Sequence, residues 1–281
     1  MITIHVPMTT SNLGPGFDCF GLALKATNTY RFEAHRKMEL VGFPSALMNT
    51  SNLAYQVYLD CFKRNNQPLY PVRITFTQGL PFCGGVGSSA TAVIASLIAY
   101  HYFCGETFTK DQLIKEATYY EHHPDNVAAA ILGGLTSCIM MPDRIISRSL
   151  PIHSKWRAYL LIPNMSIDTT VARGVLPKTI TLEDAVFNMS RSILIPKALA
   201  DGDEALLSSI IEDKFHEPYR FPMIPGAEEI ISACRNNHIP CFLSGSGAAI
   251  CVLSTEAMSL EFEGWEVKRF EVSERGLTYE T

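Results

Sequence analysis

The chain contains a series of short segments in which apolar and polar residues alternate or β-branched residues accumulate. This pattern is typical of β-strands, because successive side chains of a strand point to opposite faces of the sheet. The pattern predicts eight strands, at residues 3–7, 30–35, 72–77, 135–140, 158–162, 241–243, 249–253 and 266–271.

Helical signals lie between these strands. An apolar run at residues 90–103 is too short to span a bilayer and predicts a buried helix. Thr109 opens a capping box that predicts the helix following it, and further helices are predicted after Thr181 and at residues 227–237. The apolar repeat that supports the helix after Thr181 consists of Leu182, Ala185, Val186, Met189 and Ile193.

Helices and strands are mixed without the regular alternation of a doubly wound sheet, so we predict the α+β class. A length of 281 residues allows two domains. We place their boundary in a short polar segment, giving domains at residues 1–151 and 152–281.

Composition excludes several classes of partner. A net charge of −5 argues against a nucleic-acid partner, which favours a basic face. The N-terminus lacks the basic start and long apolar core of a secretory signal, and no segment is long and apolar enough to anchor the chain in a membrane. The eight cysteines form no Cys-x-x-Cys pair, so we expect reduced thiols in a cytoplasmic protein.

A glycine- and serine-rich segment at residues 79–90 follows the predicted strand 72–77 and precedes the apolar helix. Its glycines let the backbone approach a ligand closely, and its serines can cap the helix. Free amides and the helix dipole at such a turn favour an anion. The segment has neither the Gly-Lys-Ser/Thr of a Walker A loop nor the dinucleotide fingerprint. By itself it predicts either a phosphate-binding loop or a capped turn without a ligand.

Three more segments are rich in polar or small residues. Residues 10–21 place Asn12 and Asp18 around a Gly-Pro turn, which suits substrate binding or merely holds the turn. Residues 121–128 concentrate polar groups at a helix end, where a carboxylate beside phosphates would hold magnesium. Residues 243–249 form a second Gly/Ser loop, which either contacts the first loop or closes an ordinary hairpin.

Three of these segments occur in the order of the GHMP kinase signatures, and together they resemble that superfamily of small-molecule kinases. They read Ser-Asn-Leu-Gly-Pro-Gly-Phe-Asp at 11–18, Pro-Phe-Cys-Gly-Gly-Val-Gly-Ser-Ser-Ala at 81–90 and Ser-Gly-Ser-Gly at 244–247. Within the superfamily the chain resembles the homoserine kinases. That likeness rests on residues 12–18, on His-Pro-Asp-Asn-Val-Ala at 123–128, and on the arginine-bearing segments 169–177 and 217–220.

The resemblance implies a fold and a reaction. The fold would pair an N-terminal ribosomal-protein-S5-domain-2-like domain with a ferredoxin-like C-terminal domain. The first of these contains a left-handed βαβ crossover, an exception to the usual hand. The reaction would transfer phosphate from ATP, with Mg²⁺, to the alcohol group of L-homoserine, a step toward threonine. Many homoserine kinases are dimers, so the resemblance admits a homodimer.

The resemblance also implies roles for individual residues. Those around the nucleotide would be Asn52, which would help hold the adenine, and Pro81, Gly84, Gly85, Val86, Gly87, Ser88 and Ser89. Magnesium would be held by Ser89 and Glu121, with Glu116 as the fallback because His122 replaces the usual glycine beside Glu121. Residues around the amino acid would be Asn12, Asp18, His123, Asn126, Arg173 and Arg220. The catalytic set would be Asn126, Thr169 and Arg173.

The residue types suit an amino-acid substrate. An arginine fork binds a carboxylate in bidentate fashion, which favours Arg173 and Arg220, and Asp18 suits the ammonium group. Asn126 stands where mevalonate-type relatives carry an aspartate base, so we hypothesise that the γ-phosphate itself accepts the proton. The alternatives are a GHMP-type kinase for mevalonate or a sugar, and a catalytically silent regulatory binder. The C-terminal loop continues with Ala248, which departs from the family pattern.

Overall fold

The computed structural model describes residues 1–79 and 84–281. The strands in these residues are β1 (Ile2–Ser11), β2 (Phe20–Ala34), β3 (Glu39–Val41), β4 (Val72–Thr77), β5 (Leu135–Met140), β6 (Ile145–Leu150), β7 (Arg157–Pro163), β8 (Cys241–Leu243), β9 (Ile250–Ser254), β10 (Trp265–Glu271) and β11 (Thr278–Glu280). The α-helices are α1 (Leu53–Arg64), α2 (Ser88–Cys104), α3 (Lys110–Glu121), α4 (Asp125–Leu132), α5 (Thr169–Gly174), α6 (Leu182–Ser192), α7 (Ile195–Asp201), α8 (Glu204–Ile210), α9 (Glu217–Arg220) and α10 (Ala227–Asn236).

The larger sheet has seven strands in the order β11-β1-β2-β4-β3, with β5 pairing with β2 and β6 with β5. Strand β2 is long enough to pair with β5 near its start and with β4 near its end. Strands β3 and β4 run parallel and are joined through α1, so they form the βαβ crossover expected here. Its left-handed sense stays a prediction. Residues from α1 to α4 pack into one buried core with this sheet.

The smaller sheet has four antiparallel strands in the order β10-β7-β9-β8. Numbered along the chain this order is 4-1-3-2, the arrangement of ferredoxin-like folds. One face packs on α10. The opposite face shares a core with strand β2, because Leu22 and Leu24 belong to the same buried cluster as Ala158 and Leu160. The two sheets are therefore held together by a continuous apolar interior, and loops from both surround one cavity.

The α+β class is confirmed, and each of the eight predicted strands overlaps a strand of the structure. The apolar run at residues 90–103 forms α2, whose residues 90–101 are buried. Strand β11 at the end of the chain pairs with β1 and so belongs to the first sheet. The domain boundary near residue 151 stays a prediction.

Helix α6 begins after Thr181 as predicted, and Thr181 caps it by accepting a hydrogen bond from the Asp184 amide. Its apolar repeat is nevertheless largely on the surface: Leu182 is 81% exposed and Ile193 is 68% exposed. Helical periodicity places these side chains on one face, but only the neighbouring elements decide whether that face is covered. In the part of the chain that the structure describes, no helix is both long and apolar enough to cross a membrane.

His101 joins the end of α2 to α3. Its ring is buried, with Nδ1 2.9 Å from the Glu106 carboxylate and Nε2 2.8 Å from that of Glu116. Both ring nitrogens can donate only in the protonated imidazole. Burial by itself lowers the pKa of His101, but the hydrogen bonds and charges of Glu116 and Glu106 outweigh it and raise the pKa overall.

A pKa raised by folding stabilises the protein below the unfolded value, about 6.5 for histidine, and this stabilisation is lost as pH rises through the folded pKa. We therefore expect His101→Gln to reduce the free energy of unfolding more at pH 6 than at pH 9. Urea denaturation of both proteins across this range checks it. A difference that stays constant with pH would show that the histidine is not held as a cation.

Candidate active site

One cavity of about 680 Å³ lies where loops of the two sheets meet. Its walls come from segments far apart in the sequence, and every signature segment identified above contributes to it. The lining residues include Ser11, Asn12, Phe17, Asp18, Gly84, Gly85, Gly87, Ser88, Ser89, Glu121, His122, His123, Asp125, Asn126, Thr169, Thr170, Arg173, Arg220, Gly245 and Ser246.

The glycine loop at residues 84–87 leads directly into α2. Gly87, at φ +66°, precedes the first residue of the helix, and Gly87, Ser88 and Ser89 all line the cavity, so the free amides of the first turn lie at its wall. The second Gly/Ser loop contacts the first, because the Ser244 hydroxyl donates to the Gly85 carbonyl. Helix dipole and free amides make this a site that favours an anion. The two loops form one structure, so a change in either is expected to disturb both.

Gly85→Ala is expected to disrupt this pair of loops. Gly85 has φ +86°, and a Cβ there would lie 2.2 Å from the Ser244 carbonyl oxygen. We expect KM for ATP to rise at least tenfold, because the backbone predicted to contact the phosphates must move, and stability to fall by more than about 2 kcal/mol.

Gly105→Ala is the matched control for this substitution. Gly105 has a similar φ of +70°, but a Cβ added there would meet no heavy atom within 4 Å. It should carry only the left-handed backbone cost of about 1 kcal/mol. Steady-state kinetics and urea denaturation of both variants separate strain from the loop contact. Equal effects of the two substitutions would contradict a specific role for the contact between Gly85 and the second loop.

Ser89 and Glu121 meet at the edge of the glycine loop. The Ser89 hydroxyl donates to the Glu121 carboxylate at 2.5 Å. Burial raises the pKa of Glu121, and the hydrogen bond from Ser89 opposes this. Hydroxyl and carboxylate oxygens beside a phosphate-binding loop are ligands suited to magnesium, so this pair fits the ion. The fallback residue Glu116 faces His101 and Gln112 and does not line the cavity.

His122 ends helix α3. It is exposed and has φ +65°, the left-handed conformation in which helices commonly place a glycine. The same residue lines the cavity, next to Glu121. The departure from the family pattern thus changes the side chain at this position while preserving the backbone turn.

Asp18 and Arg173 form a two-pronged ion pair at the cavity wall. Arg173 donates from Nη1 and Nη2 to the two carboxylate oxygens at 3.0 and 2.7 Å. The Arg173 guanidinium also lies 5.5 Å from the centre of the Phe17 ring. The residue types predict that the two side chains bind opposite ends of the substrate independently. In this structure the two side chains neutralise each other, so a charged ligand must either bind beside the intact pair or replace one of its two partners.

Arg220 is almost completely buried, yet it reaches the same cavity. Its Nε donates to the Ala172 carbonyl at 3.2 Å, and its Nη1 donates to the Gly245 carbonyl at 3.1 Å. The fork expected to be open for a carboxylate is therefore partly occupied by backbone carbonyls. Burial lowers the pKa of Arg220 to about 10, and the guanidinium stays charged near neutral pH.

The two asparagines of the predicted site lie in the cavity with their amides engaged. Asn12 donates to the Gly245 carbonyl and accepts from the Asp18 amide, which fixes the turn that carries Asp18. Asn126 accepts from the Thr9 hydroxyl at 2.6 Å and donates to the Ser11 hydroxyl at 2.8 Å. These contacts orient both amides before any ligand binds.

His123 pairs with Asp125, with 2.8 Å between Nδ1 and the carboxylate. Burial alone lowers the pKa of His123, but the bond to Asp125 and nearby negative charge raise it overall. Asp125 is also buried, and contacts with His123 and the Asn126 amide outweigh burial and lower its pKa. Thr169 is exposed at the start of α5, where Asp168 caps the helix.

The side chains of two residues predicted to surround the nucleotide do not line the cavity. Asn52 caps α1 by accepting from the Tyr55 amide and donates to the Leu47 carbonyl, so its amide is used locally. It does not line the cavity, and its assignment to adenine is not supported by these contacts. Val86 is buried in the core. Pro81 lies outside the described residues.

Several cavity residues were not in the predicted site, among them Ser11, Phe17, Asp125 and Gly245. Each of these four lies inside a signature segment. Asp125 follows His123 by two residues, a spacing that lets neighbouring turn residues hydrogen-bond, and this was the one available signal. Phe17 and Gly245 line the cavity because of where the fold places them, which no pattern in the sequence indicates.

The fold and cavity define a small-molecule kinase of the GHMP class. Residues 52–134 match the family model for the GHMP kinases N terminal domain, and residues 196–262 match that for the GHMP kinases C terminal. The chain is similar to homoserine kinases of Moorella thermoacetica and Aquifex aeolicus, each 36% identical. The first match covers 89% of this chain and 86% of the relative, and the second covers 91% and 88%.

A solved structure shows the same fold. The homoserine kinase of Cytophaga hutchinsonii is 24% identical, superposes with a TM-score of 0.79, and covers 99% of this chain and 96% of its own. The chain belongs to the homoserine kinase family of GHMP kinases.

Proposed function

We propose that this chain transfers the γ-phosphoryl group of ATP to the side-chain hydroxyl of L-homoserine, giving ADP and O-phospho-L-homoserine. The assignment of L-homoserine as the acceptor rests on the pair of Asp18 and Arg173, which presents one negative and one positive group to the cavity. An α-amino acid carries the complementary ammonium and carboxylate close together. Both substrates are cytoplasmic metabolites, so we place the reaction in the cytoplasm.

The charges around this pair favour an amino acid over the alternatives. Mevalonate has a carboxylate but no ammonium group, so it would leave Asp18 without a cationic partner if Arg173 turned to the substrate. With a neutral sugar bound, Asp18 and Arg173 would remain paired with each other. A half-buried charge is costly without a partner, which disfavours mevalonate, whereas a sugar is disfavoured because it gains no charge–charge contact from the pair.

The glycine loop and the start of α2 suit the phosphates of ATP, since the loop amides and helix dipole favour negative charge. Ser89 and Glu121 would hold Mg²⁺, which would neutralise charge on the phosphates. Thr169 and Arg173 line the same cavity, where they suit contacts with the transferring group and the acceptor.

No carboxylate that lines the described part of the cavity is free to act as a base. Asp18 is paired with Arg173, Asp125 with His123, and Glu121 with Ser89. The asparagine at 126 cannot take a proton, and both ends of its amide are engaged. We infer that positioning dominates the catalysis and that the hydroxyl proton passes to the transferring phosphate.

A coupled assay of ADP release with magnesium and ATP tests the proposal. L-Homoserine, mevalonate and several sugars are compared at equal concentration. We expect turnover with L-homoserine at least 100-fold above the others, as a site built for charged groups rejects ligands that lack them. Turnover with mevalonate alone would overturn the assignment of L-homoserine as the acceptor. Binding of ATP without turnover of any acceptor would favour a silent regulatory protein.

A further inference from the structure

His216 is a completely buried histidine just before α9, outside the signature residues and outside the cavity lining. Its ring stacks on Phe17, with 5.1 Å between ring centres and 29° between planes. The Nδ1 atom lies 3.3 Å from Nη1 of Arg220, and Nε2 lies 3.2 Å from the Gly14 carbonyl oxygen. The ring thus connects Arg220 to the loop that carries Asn12 and Asp18.

The partners of the two nitrogens define one tautomer. An arginine only donates, so Nδ1 must accept from Arg220, and a carbonyl only accepts, so Nε2 must carry the hydrogen. Burial and the charge of Arg220 lower the pKa of His216 to about 4 despite the nearby Asp213 carboxylate, which keeps the ring neutral. A neutral ring accepts from the guanidinium without adding a second buried cation.

These contacts leave a defined part of Arg220 for a ligand. A guanidinium has five N–H donors. Nε binds the Ala172 carbonyl, and Nη1 binds the Gly245 carbonyl and His216. Nη2 makes no hydrogen bond to any residue in 1–79 or 84–281, and Arg220 lines the cavity. The substrate carboxylate would therefore meet Nη2, at a position set by three fixed contacts.

We propose that His216 is a positioning residue that, as the Nε2–H tautomer, holds the Arg220 guanidinium against the loop of residues 12–18 so that Nη2 meets the substrate carboxylate. The inference rests on the proposed function, since it assigns the carboxylate of the amino acid to Arg220. His216 does not touch the substrate. It acts by removing freedom from a long side chain, which lowers the entropy lost when the ligand binds.

The test compares three substitutions at this position. His216→Asn retains an acceptor near Nδ1, His216→Gln retains a donor near Nε2, and His216→Phe retains only the stacking on Phe17. His238→Asn, at an exposed histidine with φ +57°, is the control, because asparagine tolerates that backbone conformation. KM and kcat are measured for L-homoserine and for ATP, and thermal denaturation establishes which variants fold.

We expect His216→Phe to raise KM for L-homoserine about tenfold or more, the loss typical of a hydrogen bond to a charged group. KM for ATP should change less than about twofold, and His216→Asn should recover most of the loss while His216→Gln does not. A recovery by Gln instead of Asn, or parallel rises in both KM values, would overturn the proposal. If His216→Phe does not fold, the comparison of Asn with Gln decides.

A substrate analogue separates positioning from a general structural role. L-2-Amino-1,4-butanediol keeps the ammonium and the hydroxyl but has no carboxylate, so its kcat/KM should be nearly the same in His216→Gln as in the native protein. An equal loss with this analogue and with L-homoserine would contradict action through the carboxylate. Absence of turnover of L-homoserine by the native protein would instead refute the proposed function itself.

Discussion

Asp18→Asn is expected to raise KM for L-homoserine roughly 30- to 100-fold, while KM for ATP stays within about twofold. The amide keeps the shape of the side chain and tolerates the left-handed backbone of Asp18, which has φ +55°. It removes the negative charge that we propose binds the substrate ammonium, and it leaves Arg173 without its partner. Steady-state kinetics with each substrate varied in turn measure both constants.

Asp201→Asn is the control for this loss of charge. Asp201 pairs with Lys197 on one face of α7, and both side chains are exposed. Exposed pairs of this kind contribute about 0–1 kcal/mol, so neither KM should change. If Asp18→Asn leaves KM for L-homoserine unchanged, the pair with Arg173 is structural and the substrate ammonium binds elsewhere.

The second large effect is expected at Ser89 and Glu121, the pair proposed to hold magnesium. Glu121→Gln should lower kcat about 100-fold or more and raise the magnesium concentration needed for half-maximal rate, because a neutral amide is a poorer ligand and leaves phosphate charge less neutralised. The contact with the Ser89 hydroxyl can persist in the variant. A magnesium titration of the rate at saturating ATP measures both quantities.

Glu116→Gln on the same helix distinguishes the two candidate carboxylates. Glu116 faces His101 rather than the cavity, so its loss should lower stability and leave the magnesium dependence unchanged. A magnesium dependence altered in Glu116→Gln but not in Glu121→Gln would reverse the assignment.

The loops proposed to bind phosphate and substrate are joined through contacts to backbone carbonyls. The Gly245 carbonyl accepts from both Asn12 and Arg220, while its neighbour Ser244 donates to Gly85. Changes in the second Gly/Ser loop should therefore affect KM for both substrates, unlike changes at Asp18 or His216.

Much of the local structure followed from the sequence. The patterns at residues 72–77 and 135–140 correspond to β4 and β5, and in β4 buried and less buried side chains alternate because successive residues face opposite sides of the strand. The short edge strands β3 and β11 and the helix α1 were not predicted. The two strands are defined by pairing with β4 and β1, which lie elsewhere in the chain.

The candidate site likewise has features that the sequence predicted and features that depend on the fold. Glycine spacing between a strand and a helix predicted either a phosphate-binding loop or a capped turn, because backbone freedom and a helix N-terminus are local properties. Only the resemblance to GHMP kinases favoured the phosphate loop. Asn52 was assigned to adenine from its family position, yet the structure uses its amide to cap α1. A side chain with both a donor and an acceptor takes whichever partners the fold brings near, and the sequence does not name them.

By itself, the sequence indicated the α+β class, and its resemblance to a family placed Asp18, Glu121 and Arg173 in one site, where they do line one cavity. The anion site at residues 84–89 stays a prediction. The tertiary structure alone decided the pairs, because Asp18 and Arg173 are 155 positions apart and Ser89 and Glu121 are 32 apart. It also revealed His216, whose role comes from burial between Phe17, Gly14 and Arg220. Local patterns report backbone preferences, whereas the partner of a charged or polar side chain is settled only when distant segments pack together.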